Sequence, residues 1–261
     1  MHDLTITLIQ TELDWETPGS NLRRFDNHLA VMQQPTDLVI LPEMFTTSFT
    51  MNAAALAHDM DGPEVAWMRE TARRTAAVVT GSMIIREGDL FYNRLLWVEP
   101  CGAMQHYDKR HLFRMAGEDK TYAPGNRTMT TRLNGWRIRP FICYDLRFPA
   151  WTRNIGNGYD LAIFVANWPK ARSEHWKVLL QARAIENLCY VVGVNRVGSD
   201  GKGNDYSGDS AIVDPAGKIV FRQSHAESIH TLSLSRSLLD MYRRDFPAWK
   251  DADAFRLEVN P

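Results

Sequence analysis

An α/β fold, with strands and helices alternating along one chain, is what this sequence predicts. Three observations carry that reading. Short apolar runs of strand length recur, in DLVILPE (37–43), DLAIFVAN (160–167) and YVVGVN (190–195). Four or more consecutive apolar side chains suit a strand buried on both faces. Between such runs, apolar residues return at helical spacing, as in Leu22, Phe25, Leu29 and Met32, and again in Val65, Met68, Ala72 and Ala76. Finally, no Pro/Ser/Gly-rich linker, low-complexity tract or short repeat interrupts the pattern, so one domain over 1–261 is expected.

Taken in order, LTITL (4–8) alternates apolar and polar residues like a half-buried strand, and the first amphipathic helix follows. DLVILPE is a buried strand stopped by Pro42, followed by the second helix. AAVVTGSM (76–83) and RLLWVEP (94–100) read as further strands. The second half repeats the style with RIRPFICYD (137–145), DLAIFVAN and YVVGVN. A helix over SEHWKVLLQARAIENL separates the last two, with Ser173 as its expected N-cap. DPAG (214–217) is a turn between AIV and KIV, hence a hairpin, so the sheets are not purely parallel.

The bulk numbers exclude several classes. With 44% hydrophobic and 23% charged residues and a net charge of −1, nothing suggests a nucleic acid or membrane held by charge. The opening MHDLTITLIQ lacks the basic start and apolar core of a signal peptide. No apolar run approaches the roughly 18 residues of a membrane span, so a cytoplasmic address is expected. The cysteines, Cys101, Cys143 and Cys189, are odd in number, widely spaced and without a CxxC pair. That disfavours zinc-ribbon, thioredoxin-type and disulfide-framework readings and leaves a single nucleophile as the remaining possibility.

Reactive residues of α/β proteins sit where buried strands give way to loops. Glu43 follows DLVILP, Lys109 follows an aromatic stretch in YDKRHLF, and Cys143 stands near the end of RIRPFICYD. The set is chemically coherent. An ammonium favours the thiolate of a nearby cysteine and can face an oxyanion, and a carboxylate can move the proton. Each residue alone has a plainer reading, as a core cysteine, a surface acid or a solvated charge run, and spacing does not bring the three together.

The wording of the segments does. LPEMF, YDKRHLF and CYDLRFP, in this order, with VANWP, HWKVLLQARAIENLCYVVGVNRVG and GDSAIVDPAGKIV, resemble the nitrilase superfamily of carbon–nitrogen hydrolases. The resemblance implies a four-layer α-β-β-α sandwich, with Glu43 as general base, Lys109 on the oxyanion side and Cys143 as nucleophile. It also implies Glu118, in GEDKTYAPG, as an additional glutamate of the site, a thioester intermediate, and no metal or organic cofactor. The backbone N–H of Tyr144 is the expected second oxyanion donor. Many relatives follow RFP with an acid, where this chain has Ala150; an ion pair or subunit contact made by that acid is thereby in doubt.

HLFRMAGED, CYDLRFPAW and the tail FPAWKDADAFRL are similar to the bacterial omega-amidase branch. That similarity implies hydrolysis of the side amide of 2-oxoglutaramate or 2-oxosuccinamate, for example in methionine salvage. A sister amidohydrolase such as a carbamoylase or nitrilase, or a non-catalytic binding module, stays open. The distal carboxylate of such a substrate needs a cationic subsite, for which Arg172 is the candidate. Arg147 is expected in a structural ion pair. Phe45, Phe113, Tyr144 and Trp168 are candidates for the pocket wall. The family resemblance also implies a homodimer, with Trp151 and FPAWKDADAF as candidate contacts.

Overall fold

The computed structural model describes residues 2–258. The chain runs β1 (Leu4–Gln10), α1 (Pro18–Ala30), β2 (Leu38–Ile40), α2 (Ala53–Leu56), α3 (Pro63–Thr75), β3 (Val78–Glu87), β4 (Leu90–Val98) and β5 (Met104–Asp108). It continues through β6 (Thr131–Leu133), β7 (Trp136–Ile142), α4 (Pro149–Thr152), β8 (Leu161–Val165), α5 (Ser173–Asn187), β9 (Tyr190–Val194) and β10 (Val197–Ser199). It closes with β11 (Asp205–Val213), β12 (Ile219–Ser224), β13 (Ser228–Leu234) and α6 (Arg236–Asp245).

Two mixed sheets result, ordered β13-β1-β2-β3-β4-β5 and β10-β11-β9-β8-β7-β6, with β12 also on β11. The centres, β1-β2-β3 and β7-β8-β9, are parallel, and hairpins extend them antiparallel. Alternation along the strands explains the layering. Ile6, Leu8, Leu38 and Ile40 of the first sheet share a core with Ile142, Ile163 and Val192 of the second. The opposite face, with Val39, Val79, Leu96 and Val98, is covered by Phe25 and Leu29 of α1 and by Val65, Met68 and Ala72 of α3. Helix α5 lays Trp176, Leu180 and Ala184 on the second sheet, joined there by Leu239 of α6. The architecture is a four-layer α-β-β-α sandwich. Each such buried Val, Leu, Ile, Met or Phe side chain contributes roughly 1.5–3 kcal/mol by leaving water. Gly193 of β9 lets α5 close in, since a Cβ there would stand 2.6 Å from Leu180 and 2.7 Å from Trp176.

The DPAG hairpin forms as expected, with Asp214 Oδ1 accepting from the N–H groups of Ala216 and Lys218. Several details differ from expectation. Ser173 is the first helical residue and not the N-cap, a place taken by Arg172 without any side-chain cap bond. Ala76 does not extend the buried stripe of α3; it ends the helix in the left-handed conformation, at φ 51°. Met32 lies beyond the end of α1. The strands β5, β6, β10 and β13 and the helix α6 were not expected from sequence, being short, half-exposed or strongly polar in composition.

Candidate active site

Three strand ends converge. Glu43 follows β2 after Pro42, Lys109 directly follows β5, and Cys143 directly follows β7. The first two strands belong to one sheet and the third to the other, so the site forms where the sheets meet. Cys143 has a φ of 44° and Met44, beside Glu43, a φ of 41°. A left-handed non-glycine residue costs roughly 1–2 kcal/mol, so both turns must be held by their surroundings. Asp145 supplies part of that hold. Its buried carboxylate accepts from Ile142 N–H at 3.1 Å, Tyr107 O–H at 2.7 Å, and His111 N–H at 3.0 Å, with His111 Nδ1 at 2.8 Å. The turn after β7 is thereby tied to the segment that carries Lys109.

Glu43, Lys109 and Glu118 are buried together. Lys109 Nζ donates to Glu43 Oε1 at 2.8 Å and to Glu118 Oε1 and Oε2 at 3.0 and 2.9 Å. Asn93, in β4, bridges the two acids, with Nδ2 at 2.8 Å from Glu43 Oε1 and 3.1 Å from Glu118 Oε1. Asn167 N–H donates to Glu43 Oε2 at 2.8 Å, and its side-chain amide donates to the Glu43 carbonyl. Phe113 N–H holds Glu118 Oε2 at 2.6 Å. Burial disfavours the Lys109 ammonium, but the charges of Glu118 and Glu43 outweigh it and raise its pKa. Burial raises the Glu118 pKa; Lys109 opposes and the Glu43 charge adds to the rise.

The sequence reading expected the Lys109 ammonium to favour the Cys143 thiolate, and Lys109 does act to lower that pKa. Burial and the facing charge of Glu43 push the Cys143 thiol well above its ordinary pKa, and Lys109 offsets only part of that. Two carboxylates absorb the field of one ammonium, so the balance of charge and burial favours the thiol form.

A cavity of about 410 Å³ opens onto Glu43, Lys109 and Cys143, within the range of small-molecule sites. Phe113, Tyr144, Trp168 and Arg172 line it, whereas Glu118 lies behind Lys109, off the wall. Phe45 does not line it. It points the other way, into the core against Phe25 and Trp67, at ring-centroid distances of 5.5 and 5.8 Å. The wall position falls instead to Phe49, whose ring lies 5.1 Å from Lys109 Nζ. Arg147 also departs from expectation. Among the described residues it makes no ion pair; it lines the cavity, donates to His175 Nδ1 at 2.9 Å and lies 4.7 Å over the Trp168 ring. Trp151 is buried within the chain, donating to Tyr107 Oη at 2.9 Å, and is therefore not a surface contact. Ala150 is exposed at the start of α4.

Sequence reasoning missed Asn93, Asn167, Asp145 and the rim segment 200–206, which leads into β11 and adds Asp200, Lys202, Asn204 and Tyr206 to the wall. The available signal was polarity in the wrong place. Asn93 interrupts the apolar LFYNRLLWV, and Asn167 ends the apolar LAIFVAN. A polar side chain inside a buried strand needs a partner, and here the partner is Glu43.

Comparison with known proteins agrees with this geometry. The family model for carbon-nitrogen hydrolases matches residues 5–244, and the chain belongs to that family. An omega-amidase YafV of Escherichia coli (strain K12) is 49% identical over 98% of this chain and 100% of its own length. A 2-oxoglutaramate amidase of Bacillus subtilis (strain 168) is 30% identical over 95% of this chain and 96% of its own. The crystal structure of XC1258 from Xanthomonas campestris, a CN-hydrolase superfamily protein with an arsenic adduct in its active site, superposes with a TM-score of 0.97. It is 46% identical, covering 99% of this chain and 100% of that one.

Proposed function

We propose that this protein is an omega-amidase, hydrolysing the side amide of 2-oxoglutaramate or 2-oxosuccinamate to the dicarboxylate and ammonia. The observation that carries the reading is the joint placement of Glu43, Lys109 and Cys143 on one cavity of substrate size. Full-length similarity to an omega-amidase and a 2-oxoglutaramate amidase supports the choice of substrate.

The hydrogen bonds suggest where each proton goes. Glu43 Oε1 already accepts from Lys109 and Asn93, whereas Oε2 accepts one backbone N–H, that of Asn167. The Cys143 proton therefore passes to Oε2, and the thiolate forms only as it attacks the amide carbon. The carbonyl π pair moves onto oxygen, which receives N–H donors from Lys109 and Tyr144. Lys109 has one N–H on Glu43 and chelates Glu118 with another, leaving a third for this oxyanion. Tyr144 is the second residue of a 3-10 turn over Cys143–Arg147, where backbone N–H groups lack intrahelical partners. Each donor of this kind contributes roughly 3–4 kcal/mol in the transition state. Collapse re-forms the carbonyl, breaks the C–N bond, and ammonia leaves with the proton from Glu43. Water then attacks the thioester, Glu43 takes its proton, and the acid departs as Cys143 is restored. Glu118 acts by fixing Lys109.

Arg172, 5.3 Å over the Phe113 ring on the cavity wall, holds the distal carboxylate. The same reading includes a single catalytic domain, a cytoplasmic address and a homodimer. Val178 and Ile185, exposed along α5, are apolar surface suited to subunit pairing. Among the described residues no helix is long and apolar enough to cross a membrane.

The test is ammonia release from 2-oxoglutaramate, a carbamoyl amino acid, a nitrile and glutamine, with wild type and Cys143→Ala in parallel. The proposal expects Cys143-dependent turnover that favours the oxo-amide. Preference for another member of the panel would move the substrate, and equal turnover by Cys143→Ala would remove the mechanism.

A further inference from the structure

The left-handed turn beside Glu43 needs a hold of its own. It starts at Met44, whose carbonyl accepts from Thr47 N–H at 3.0 Å and from Ser48 N–H at 2.9 Å. It ends at Ser48, again left-handed at φ 62°. Phe49, next in the chain, lines the cavity. The Ser48 side chain is buried, and its hydroxyl accepts from Arg196 Nη1 at 2.6 Å. Arg196 lies 148 residues further along, just after β9.

Arg196 is itself buried, at 1% exposure, and among the described residues it forms no ion pair. Its other donors go to neutral acceptors, Nε to the Val197 carbonyl at 3.0 Å and Nη2 to the Ser199 carbonyl at 2.9 Å. Its guanidinium lies 4.6 Å over the Tyr206 ring. Burial lowers its pKa, and Tyr206, Asp200, Glu12 and Asp14 oppose this without outweighing it. Val197 and Ser199 belong to β10, which pairs antiparallel with Ser207, Tyr206 and Asp205 of β11, and Tyr206 is on the cavity wall. One fork therefore touches both the turn that begins beside the base and the hairpin that walls the cavity. A buried charge without an acid is costly, and an apolar side chain of similar size would fill the space at less cost. What an apolar side chain could not do is hold acceptors of two chain segments in fixed directions.

We propose that Arg196 is a positioning residue for the reaction: it fixes the turn over 44–48 against the β10–β11 hairpin, and so keeps Glu43, Phe49 and Tyr206 in register around the cavity. This rests on the reading of Glu43 as the base of an amidase and adds what keeps that base aimed. Arg196 does not line the cavity and acts through Ser48 and Tyr206. Loosening the turn should cost rate, because a misplacement of about 1 Å can cost about 100-fold. Fold stability should change little, because the unpaired buried charge leaves with the side chain.

Arg196→Met, Arg196→Lys and Ser48→Ala test the brace in two readouts. The first is steady-state hydrolysis of 2-oxoglutaramate alongside thermal melting. Arg196→Met should lower kcat by about 10- to 100-fold, with a smaller rise in KM, while melting within about 4 °C of wild type. Arg196→Lys should not restore kcat, since an ammonium lacks the fork. Ser48→Ala should lower kcat less, and combining it with Arg196→Met should lower kcat no further than Arg196→Met alone. Activity lost only in step with melting temperature, full rescue by lysine, additive losses or a rise in KM alone would each overturn the inference. The second readout needs no turnover: backbone hydrogen exchange followed by mass spectrometry. In Arg196→Met the segments 44–49 and 197–206 should both exchange at least about 10-fold faster, with β2 and β9 unchanged. Faster exchange in 197–206 alone would overturn the link to the base. Lost protection in both segments, with no ammonia released from 2-oxoglutaramate by wild type, would retain the brace and remove the amidase reading.

Discussion

The chemistry rests on how few side chains hold Glu43. Lys109 and Asn93 bond its Oε1 and Asn167 N–H bonds its Oε2, so one lone-pair site remains on Oε2, where the proposed mechanism has it exchange a proton with Cys143. Two predictions belong here. Lys109→Met should lower kcat by about 100- to 1,000-fold, since the proposed mechanism makes Lys109 an oxyanion donor. Steady-state kinetics on folded protein checks this, and a rate within a few-fold of wild type would contradict it. Asn93→Leu removes the bridge between Glu43 and Glu118, and misplacing the base should lower kcat by up to about 100-fold with less effect on KM. A change confined to KM would contradict the positioning role. At this scale the sequence was informative about Glu43, Lys109 and Cys143 because the motifs that hold them are contiguous. It was misleading for Phe45, because a residue two places from Glu43 and next to the left-handed Met44 points away from the cavity. It was silent on Arg147 as a cavity residue, because whether an arginine finds an acid depends on segments distant in sequence.

Elements are fastened by buried charge as well as by apolar packing. Asp160, just before β8, accepts from Arg137 of β7 and from Arg236 and Arg243 of α6. Helix α6 is thereby anchored to the second sheet although its own composition is strongly polar. Burial raises the Asp160 pKa, but the Arg137 bonds and the Arg243 charge prevail and bring it down to about 2. A folded-state pKa below the unfolded value means that the group stabilises the fold above pH ~4, and that this is lost as pH falls toward ~2. The contribution is on the order of 2 kcal/mol. Urea melts between pH 5 and pH 2.5 should show that decline in wild type and a flatter profile in Asp160→Asn. Parallel profiles would contradict the anchoring role. Element type was readable wherever one period dominated, as in β2, β8 and α3. Helix α6 does carry a helical period, in Leu238, Leu239 and Tyr242, which its strongly polar composition hid from the sequence reading, and strand β13 is half-exposed along its length.

At the scale of the molecule, the four layers do one thing for function: they bring the ends of β2, β5 and β7 to one point between two sheets. The α/β class followed from periodicity, but the pairing of two sheets did not, since interleaved apolar strands fit one sheet as well as two. Burial and the Glu43 charge at the sheet junction favour the thiol form of Cys143, and the proposed mechanism predicts a covalent intermediate on it. The most direct measurement is rapid-quench mass spectrometry of wild type, Glu43→Gln and Cys143→Ala mixed with 2-oxoglutaramate. The account predicts an acyl group on the Cys143 peptide of wild type during turnover, and none on Cys143→Ala. Glu43→Gln, lacking the base, should form the adduct slowly or not at all. Ammonia release by wild type without any Cys143 adduct, or sustained turnover by Cys143→Ala, would contradict it.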